Sequence, residues 1–132
     1  MADKNKTVLV VDDEIHIVHV VAIKLRNNGY EVISADNGAE ALELALREKP
    51  DMVVTDYQMP VMTGLELVEQ LRQHDQTKDI PVIMLTARSF AIEQEQQDAL
   101  QISECLGKPF SPRELLGNIE DILYQKELVG DN

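Results

Sequence analysis

Five short apolar runs punctuate this chain, and a longer amphipathic or polar stretch follows each: TVLVV at 7–11, YEVISA at 30–35, MVVTD at 52–56, IPVIML at 80–85, and the brief CLG at 105–107. Runs this short suit strands better than helices, and their β-branched residues pack well on a pleated surface. Met52, Val53 and Val54 show no apolar–polar alternation and lie between the breakers Pro50 and Pro60. That pattern fits a strand covered on both faces, as in the middle of a parallel sheet. Strict strand–helix alternation with right-handed crossovers then leads to one architecture: an α/β fold, a five-stranded parallel sheet doubly wound by helices on both faces.

The stretches between the runs carry helix signals. Ile15, Val18, Ala22 and Leu25 recur at helical spacing from Ile15 to Asn28, and Gly29 is a C-cap signal. Ala39 to Lys49 follows Asn37, a candidate N-cap, and Pro50 closes it. Leu65, Leu67, Val68 and Leu71 mark a third helix ending near His74, with Gly64 as the turn before it. Ser89 to Leu100 is polar and the weakest helix of the set. Ser111-Pro112-Arg113-Glu114 is a capping box with proline at the first helical position, opening a last helix to about Glu127.

At 132 residues the chain makes one domain. The expected division is a flexible 1–6, a globular 7–127, and 128–132 as a tail or the start of a linker. A formal net charge of −12 argues against nucleic acid or an anionic membrane as a direct partner, and suits a cation or a basic protein surface. No apolar run approaches the ~18 residues of a membrane span, and no signal-peptide core is present. The single cysteine, Cys105, cannot form an internal disulfide, so a reduced, cytoplasmic setting is expected.

Ligands of an open α/β sheet bind outside the carboxyl ends of its strands. The first strand delivers Asp12 and Asp13 there, the third Asp56, the fourth Thr86 and the fifth Lys108. Singly, each has an ordinary reading: an N-capping aspartate, a capping threonine, a solvated lysine. Together they form a set. Three carboxylates at close range repel unless a cation joins them, and an all-oxygen cluster favours a hard ion such as Mg²⁺, with Mn²⁺ as an alternative occupant. Metal, ammonium and hydroxyl are the parts that stabilise a phosphoryl group in transfer, and an aspartate can form an acyl phosphate. No Gly-rich phosphate loop is present to hold a nucleotide.

At this point the sequence resembles the receiver domain of two-component response regulators. VLVVDDE at 8–14, TDYQMPVMTGLEL at 55–67, MLTA at 84–87 and KPF at 108–110 match the family's motifs in order, over Val8 to about Tyr124. The resemblance implies a flavodoxin-like fold with strand order 2-1-3-4-5. It implies that Asp56 accepts a phosphoryl group from a phosphohistidine on a sensor kinase or phosphotransfer protein. Asp13, Asp56 and the carbonyl of Gln58 would ligate Mg²⁺, with Asp12 acting through a water. Lys108 would pair with the phosphate and Thr86 would move toward it. The Lys108–Pro109 bond is expected to be cis. The switched surface would be the fourth helix, fifth strand and fifth helix, read by an effector protein or by a fused output domain.

The chain departs from the family pattern in two places. Cys105 stands where an aromatic residue is usual, and Gln101-Ile102 replaces the usual Gly-Ala pair. The phosphorylation chemistry is unaffected, and the output face is expected to move by backbone and loop shifts. The resemblance implies that Gln58 and Arg88 border the path of attacking water, and their long side chains are then expected to slow loss of the phosphoryl group. His16 and His19, one helical turn apart, have no third ligand in view and read as ordinary helix residues. Met59 and Met62 read as loop and core packing, and Cys105 as a small apolar residue.

Two other functions compete. A Mg²⁺-dependent phosphatase of the haloacid dehalogenase type would carry a second aspartate two residues after the nucleophile, where Gln58 stands, and a cap insertion. An unphosphorylated scaffold would not need the intact set of Asp12, Asp13, Asp56, Thr86 and Lys108. The expected protein is therefore a signalling module whose only catalysis is its own phosphorylation and dephosphorylation.

Overall fold

The computed structural model describes residues 6–87 and 92–130. Its elements alternate without exception: β1 (Thr7–Val11), α1 (Ile15–Arg26), β2 (Glu31–Ala35), α2 (Gly38–Glu48), β3 (Met52–Asp56), α3 (Gly64–Leu71), β4 (Val82–Thr86), α4 (Gln94–Leu100), β5 (Ile102–Gly107) and α5 (Pro112–Gly130). The five strands form one parallel sheet in the order β2-β1-β3-β4-β5. This is the expected doubly wound architecture.

The period-two geometry of a strand divides the core between the two faces. Val8 and Val10 of β1 face one layer with Met52, Val54, Ile83 and Leu85, against Val21 and Leu25 of α1 and Leu115 and Ile119 of α5. Leu9 and Val11 face the other with Val53, Val82 and Met84, against Ala41 and Ala45 of α2 and Leu67, Val68 and Leu71 of α3. Every residue of β3 and β4 is buried. Burial on both faces is why these runs are apolar without alternation.

Helix ends follow the capping chemistry. Asn37 accepts from the Glu40 amide at 2.9 Å and opens α2. Gly29 takes φ +93°, and the Tyr30 amide then returns to the Leu25 carbonyl, closing α1 as expected. Ser111 Oγ accepts from the Glu114 amide at 3.3 Å. The last helix runs on to Gly130, beyond the expected end near Glu127.

Three local readings need correction. Gly64 is the first residue of α3 and not a turn; Thr63 caps the helix in a reciprocal box with Glu66. Glycine is required there by contact. A Cβ at Gly64 would collide with the Asp56 carbonyl and lie 2.8 Å from Met84 Sδ. Of the expected helix from Ser89 to Leu100, Ser89 and Phe90 lie outside the described residues; α4 covers Gln94–Leu100, buries none of its own residues, and has Gln97 Nε2 donating to the carbonyl of the buried Ile92. β5 starts at Ile102 and not at Cys105. Its register shifts between Val82 and Ile83, where Ser103 is the extra residue, and Ser103 and Glu104 are exposed on this edge strand. Polar letters at an exposed edge concealed half of the strand.

One feature of the β3–α3 loop is costly. Val61 holds φ +74° and is 83% exposed, a conformation that β-branched residues adopt only under strain. Substituting Val61→Gly removes that strain and is expected to raise unfolding free energy by about 1 kcal/mol in urea denaturation. Gly64→Ala is expected to lower it by about 1–3 kcal/mol in the same assay, since the added methyl has no room.

Candidate phosphoacceptor site

The strand ends converge because the sheet is in register there. Val11 pairs with Thr55, Asp56 with Leu85, and Thr86 with Gly107, so the residues that follow emerge side by side. Backbone bonds extend the alignment past the strands: Asp12 N–H to Ala35 O, Tyr57 N–H to Leu85 O, and Lys108 N–H to Thr86 O at 2.8 Å. Asp12, Asp56 and Thr86 are all buried. A cis peptide bond joins Lys108 to Pro109, as the resemblance implies.

Lys108 is the hub. Its Nζ lies 3.0 Å from Asp12 Oδ2, 3.1 Å from Glu14 Oε1 and 3.4 Å from Asp56 Oδ1. The Glu14 amide donates to Asp12 Oδ1 at 2.9 Å and fixes that carboxylate from its other side. Thr55 Oγ1 donates to the Asp56 carbonyl at 3.0 Å, and Gly64 N–H to the Tyr57 carbonyl at 2.8 Å, holding the backbone on which Asp56 is carried.

The electrostatics follow from crowding. Burial raises the Asp56 pKa, and the neighbouring Asp12 charge raises it further; Lys108 and the Tyr57 amide offset only part of this. Burial draws Lys108 down, but its bonds and attraction to Asp12, Asp56 and Glu14 outweigh that and leave its pKa above the ordinary value. The ammonium is therefore a permanent charge at neutral pH, inside a cluster still rich in negative charge.

One oxygen from each of Asp12, Asp13 and Asp56 lies within 4.8 Å of the other two. Opposite ligands of a magnesium ion are about 4.2 Å apart, so the opening is of the right order for a hard cation with oxygen donors. Beside it a cavity of about 330 Å³ is lined by Asp13, Glu14, Asp56, Gln58, Ala87 and Lys108. The segments at the ends of β1, β3, β4 and β5 contribute to that lining, β4 through Ala87, while Asp12 and Thr86 themselves are not among the lining residues.

The comparisons with known proteins agree with this geometry. The response regulator receiver domain model matches residues 8–120. The chain belongs to the response regulator receiver family. It is similar to the alkaline phosphatase synthesis transcriptional regulatory protein PhoP of Bacillus subtilis, with 41% identity over 125 residues, covering 95% of this chain and 51% of the relative. The chain thus spans about half the length of the curated relatives it matches. Among solved structures, the chemotaxis response regulator CheY4 of Vibrio cholerae superposes with a TM-score of 0.84 at 37% identity, covering 90% of this chain and 99% of that one. The receiver domain of sensor histidine kinase PA1611 from Pseudomonas aeruginosa, with magnesium coordinated in its active-site cleft, gives 0.78 at 27% identity, covering 92% and 97%. The receiver is a phosphoacceptor module of two-component signalling.

Other expectations resolve as follows. His16 and His19 are exposed, and the acidic trio is the one metal-competent group among the described residues. Met59 sits in the core and Met62 packs against it. Cys105 is half-buried, its thiol pKa raised by burial and by Glu104. Arg88 lies outside the described residues. Among those residues no helix is long and apolar enough to cross a membrane. Glu14 was missed as a site residue. Its signal was available, as a third acid after the Asp12-Asp13 pair in VLVVDDE, but no site role was given to it.

An aspartate whose folded pKa is raised stabilises the fold fully below its unfolded value of about 4, and that contribution is lost as pH rises through the folded value. Asp56→Asn lacks this loss. The variant is expected to melt a few degrees above the metal-free parent at neutral pH, with the difference vanishing below about pH 4. Added Mg²⁺ should raise the melting point of the parent and leave the variant nearly unmoved.

Proposed function

We propose that Asp56 is the phosphoacceptor of this receiver and that its donor is a phosphohistidine on a sensor kinase or phosphotransfer protein. The observation that carries the reading is one ammonium, Lys108, bridging two buried carboxylates beside a cavity that Asp56 lines. In the transfer an Asp56 carboxylate oxygen bonds to phosphorus as the bond from phosphorus to the donor imidazole nitrogen breaks. The electron pair stays on that nitrogen, which takes a proton from solvent, and a mixed anhydride remains on Asp56. Lys108 holds charge on the phosphoryl oxygens, and the Thr86 hydroxyl, carried on the end of β4, donates to one of them.

Asp13, Asp56 and the Gln58 carbonyl are the ligands we assign to Mg²⁺ (or Mn²⁺), with Asp12 reaching it through water. Bound there, the ion neutralises charge on the phosphoryl group. Crowding around Asp56 supports the assignment, since a cation offsets the Asp12 repulsion that adds to burial in raising its pKa. The chain's own catalysis consists of forming and hydrolysing this anhydride, and the exposed Gln58 at the cavity slows the second step by shielding phosphorus. The receiver extends from 7 to the end of α5, which runs past the expected boundary at 127 to Gly130.

The phosphoryl group adds charge and acceptor oxygens at one rim. Thr86 and Lys108 turn toward them, and because Lys108 N–H is bonded to Thr86 O, the ends of β4 and β5 move as a unit. Cys105 on β5 carries no aromatic ring, so the surface of α4, β5 and α5 shifts through backbone and loop. An effector protein, or an output domain such as the relatives' extra length provides, reads that surface. The cytoplasm is the compartment where such donors present phosphohistidine.

Incubation with acetyl phosphate and Mg²⁺ is expected to add one phosphoryl mass, measured by intact mass spectrometry. The addition should be lost with chelator and in Asp56→Asn. Added mass that survives Asp56→Asn would assign the acceptor elsewhere.

A further inference from the structure

Lys108 offers three N–H donors, and three carboxylates stand around it. If Asp56 is phosphorylated as proposed above, the new oxygens need that ammonium, so an existing partner has to release it. The three partners are not equal. The Asp12 side chain is fully buried, and removing its cation would leave a buried carboxylate uncompensated. Asp56 is the residue that carries the incoming group. Glu14 is half-exposed, with 50% of its side chain accessible, and water can replace its ion pair at little cost.

The local backbone shows that Glu14 is held for this contact. It occupies the N-cap of α1, where an acceptor side chain ordinarily turns back to the first-turn amides, yet it makes no side-chain cap bond. Its amide is bonded to Asp12 Oδ1, and its carbonyl accepts from the Ile17 and Val18 amides at 3.0 and 3.3 Å. The main chain is thus fixed at both ends while the carboxylate reaches across to Lys108, 94 residues away in sequence. Once released, that carboxylate sits at the positive end of α1, a favourable place for it.

We propose that Glu14 is a positioning residue that restrains Lys108 in the resting protein and competes with the phosphoryl group for it. Glu14 therefore sets how tightly the loaded site holds an anion and how readily the receiver is charged. Its action runs through the contact with Lys108 and not through general negative charge at the rim.

Beryllofluoride with Mg²⁺, a phosphoryl mimic, tests this by calorimetric or ¹⁹F NMR titration of three proteins: the parent, Glu14→Gln and Glu14→Asp. The second variant keeps the charge but is one methylene too short to hold Lys108. Both variants are expected to bind the mimic roughly two- to fivefold more tightly than the parent at low salt, the range a partly exposed ion pair supports. Unchanged or weaker binding by Glu14→Gln overturns the proposal, as does Glu14→Asp behaving like the parent, which would reduce the effect to rim charge. A parent that binds no beryllofluoride would instead remove the assignment of Asp56 on which the proposal rests.

Discussion

A single ammonium among crowded carboxylates is the interaction on which the rest of this structure depends. Without Lys108, burying Asp12 and Asp56 side by side would leave two uncompensated charges in a low-dielectric rim. With it the cluster is tolerable, but Asp56 still has a raised pKa, so compensation is incomplete. The sheet makes this possible. Asp12 follows β1 and Asp56 ends β3, strands paired on both sides, so the backbone cannot relax to let the two acids part. The Lys108 amide bond to Thr86 pins the cation at the height the acids require. Stability at the sheet's centre is what sustains discomfort at its edge.

Most of that frame was legible in the sequence, for a definite reason. β1, β3 and β4 are covered by helices on both faces, so nearly every letter is apolar and the runs declare themselves. Their ends were visible as abrupt changes to Asp12, Asp56 and Thr86, and alternation placed those ends at one rim. The family motifs then supplied strand order and roles that periodicity alone does not contain.

What escaped the sequence was set by contacts between distant segments. β5 is an edge strand with a bulge, so Ser103 and Glu104 read as loop although Ile102 already pairs with Val82. α4 buries none of its own residues and is tied down from outside. The Arg72 guanidinium, at the end of α3, donates to the carbonyls of Leu100 and Gln101 at 2.8 and 3.2 Å, and to those of Lys78 and Ile80. No local pattern announces an arginine as the anchor of a helix 28 residues further on. Gly64 had the letter of a turn, but its need is space against the Asp56 carbonyl. Glu14 was hidden because its backbone starts a helix while its side chain belongs to the site.

The charge arrangement also couples the two ligands that the proposed function brings to the site. On the proposed reading, phosphorylation replaces the single charge of the Asp56 carboxylate with the about −1.5 to −2 of its phosphoryl group, beside Asp12 and Asp13, and Lys108 offsets only part of the sum. A divalent cation brings the opposite charge to the same oxygens. Each ligand therefore relieves the repulsion that opposes the other, and the two bind with positive coupling. By linkage that coupling is reciprocal: whatever the cation adds to anion affinity, the anion adds to cation affinity. A weakly held ion in the resting protein is thus consistent with a tightly held one in the phosphorylated state. On the same proposed reading, the energy that would move the β4 and β5 ends comes from that difference between states, because a ligand favouring both equally would move nothing.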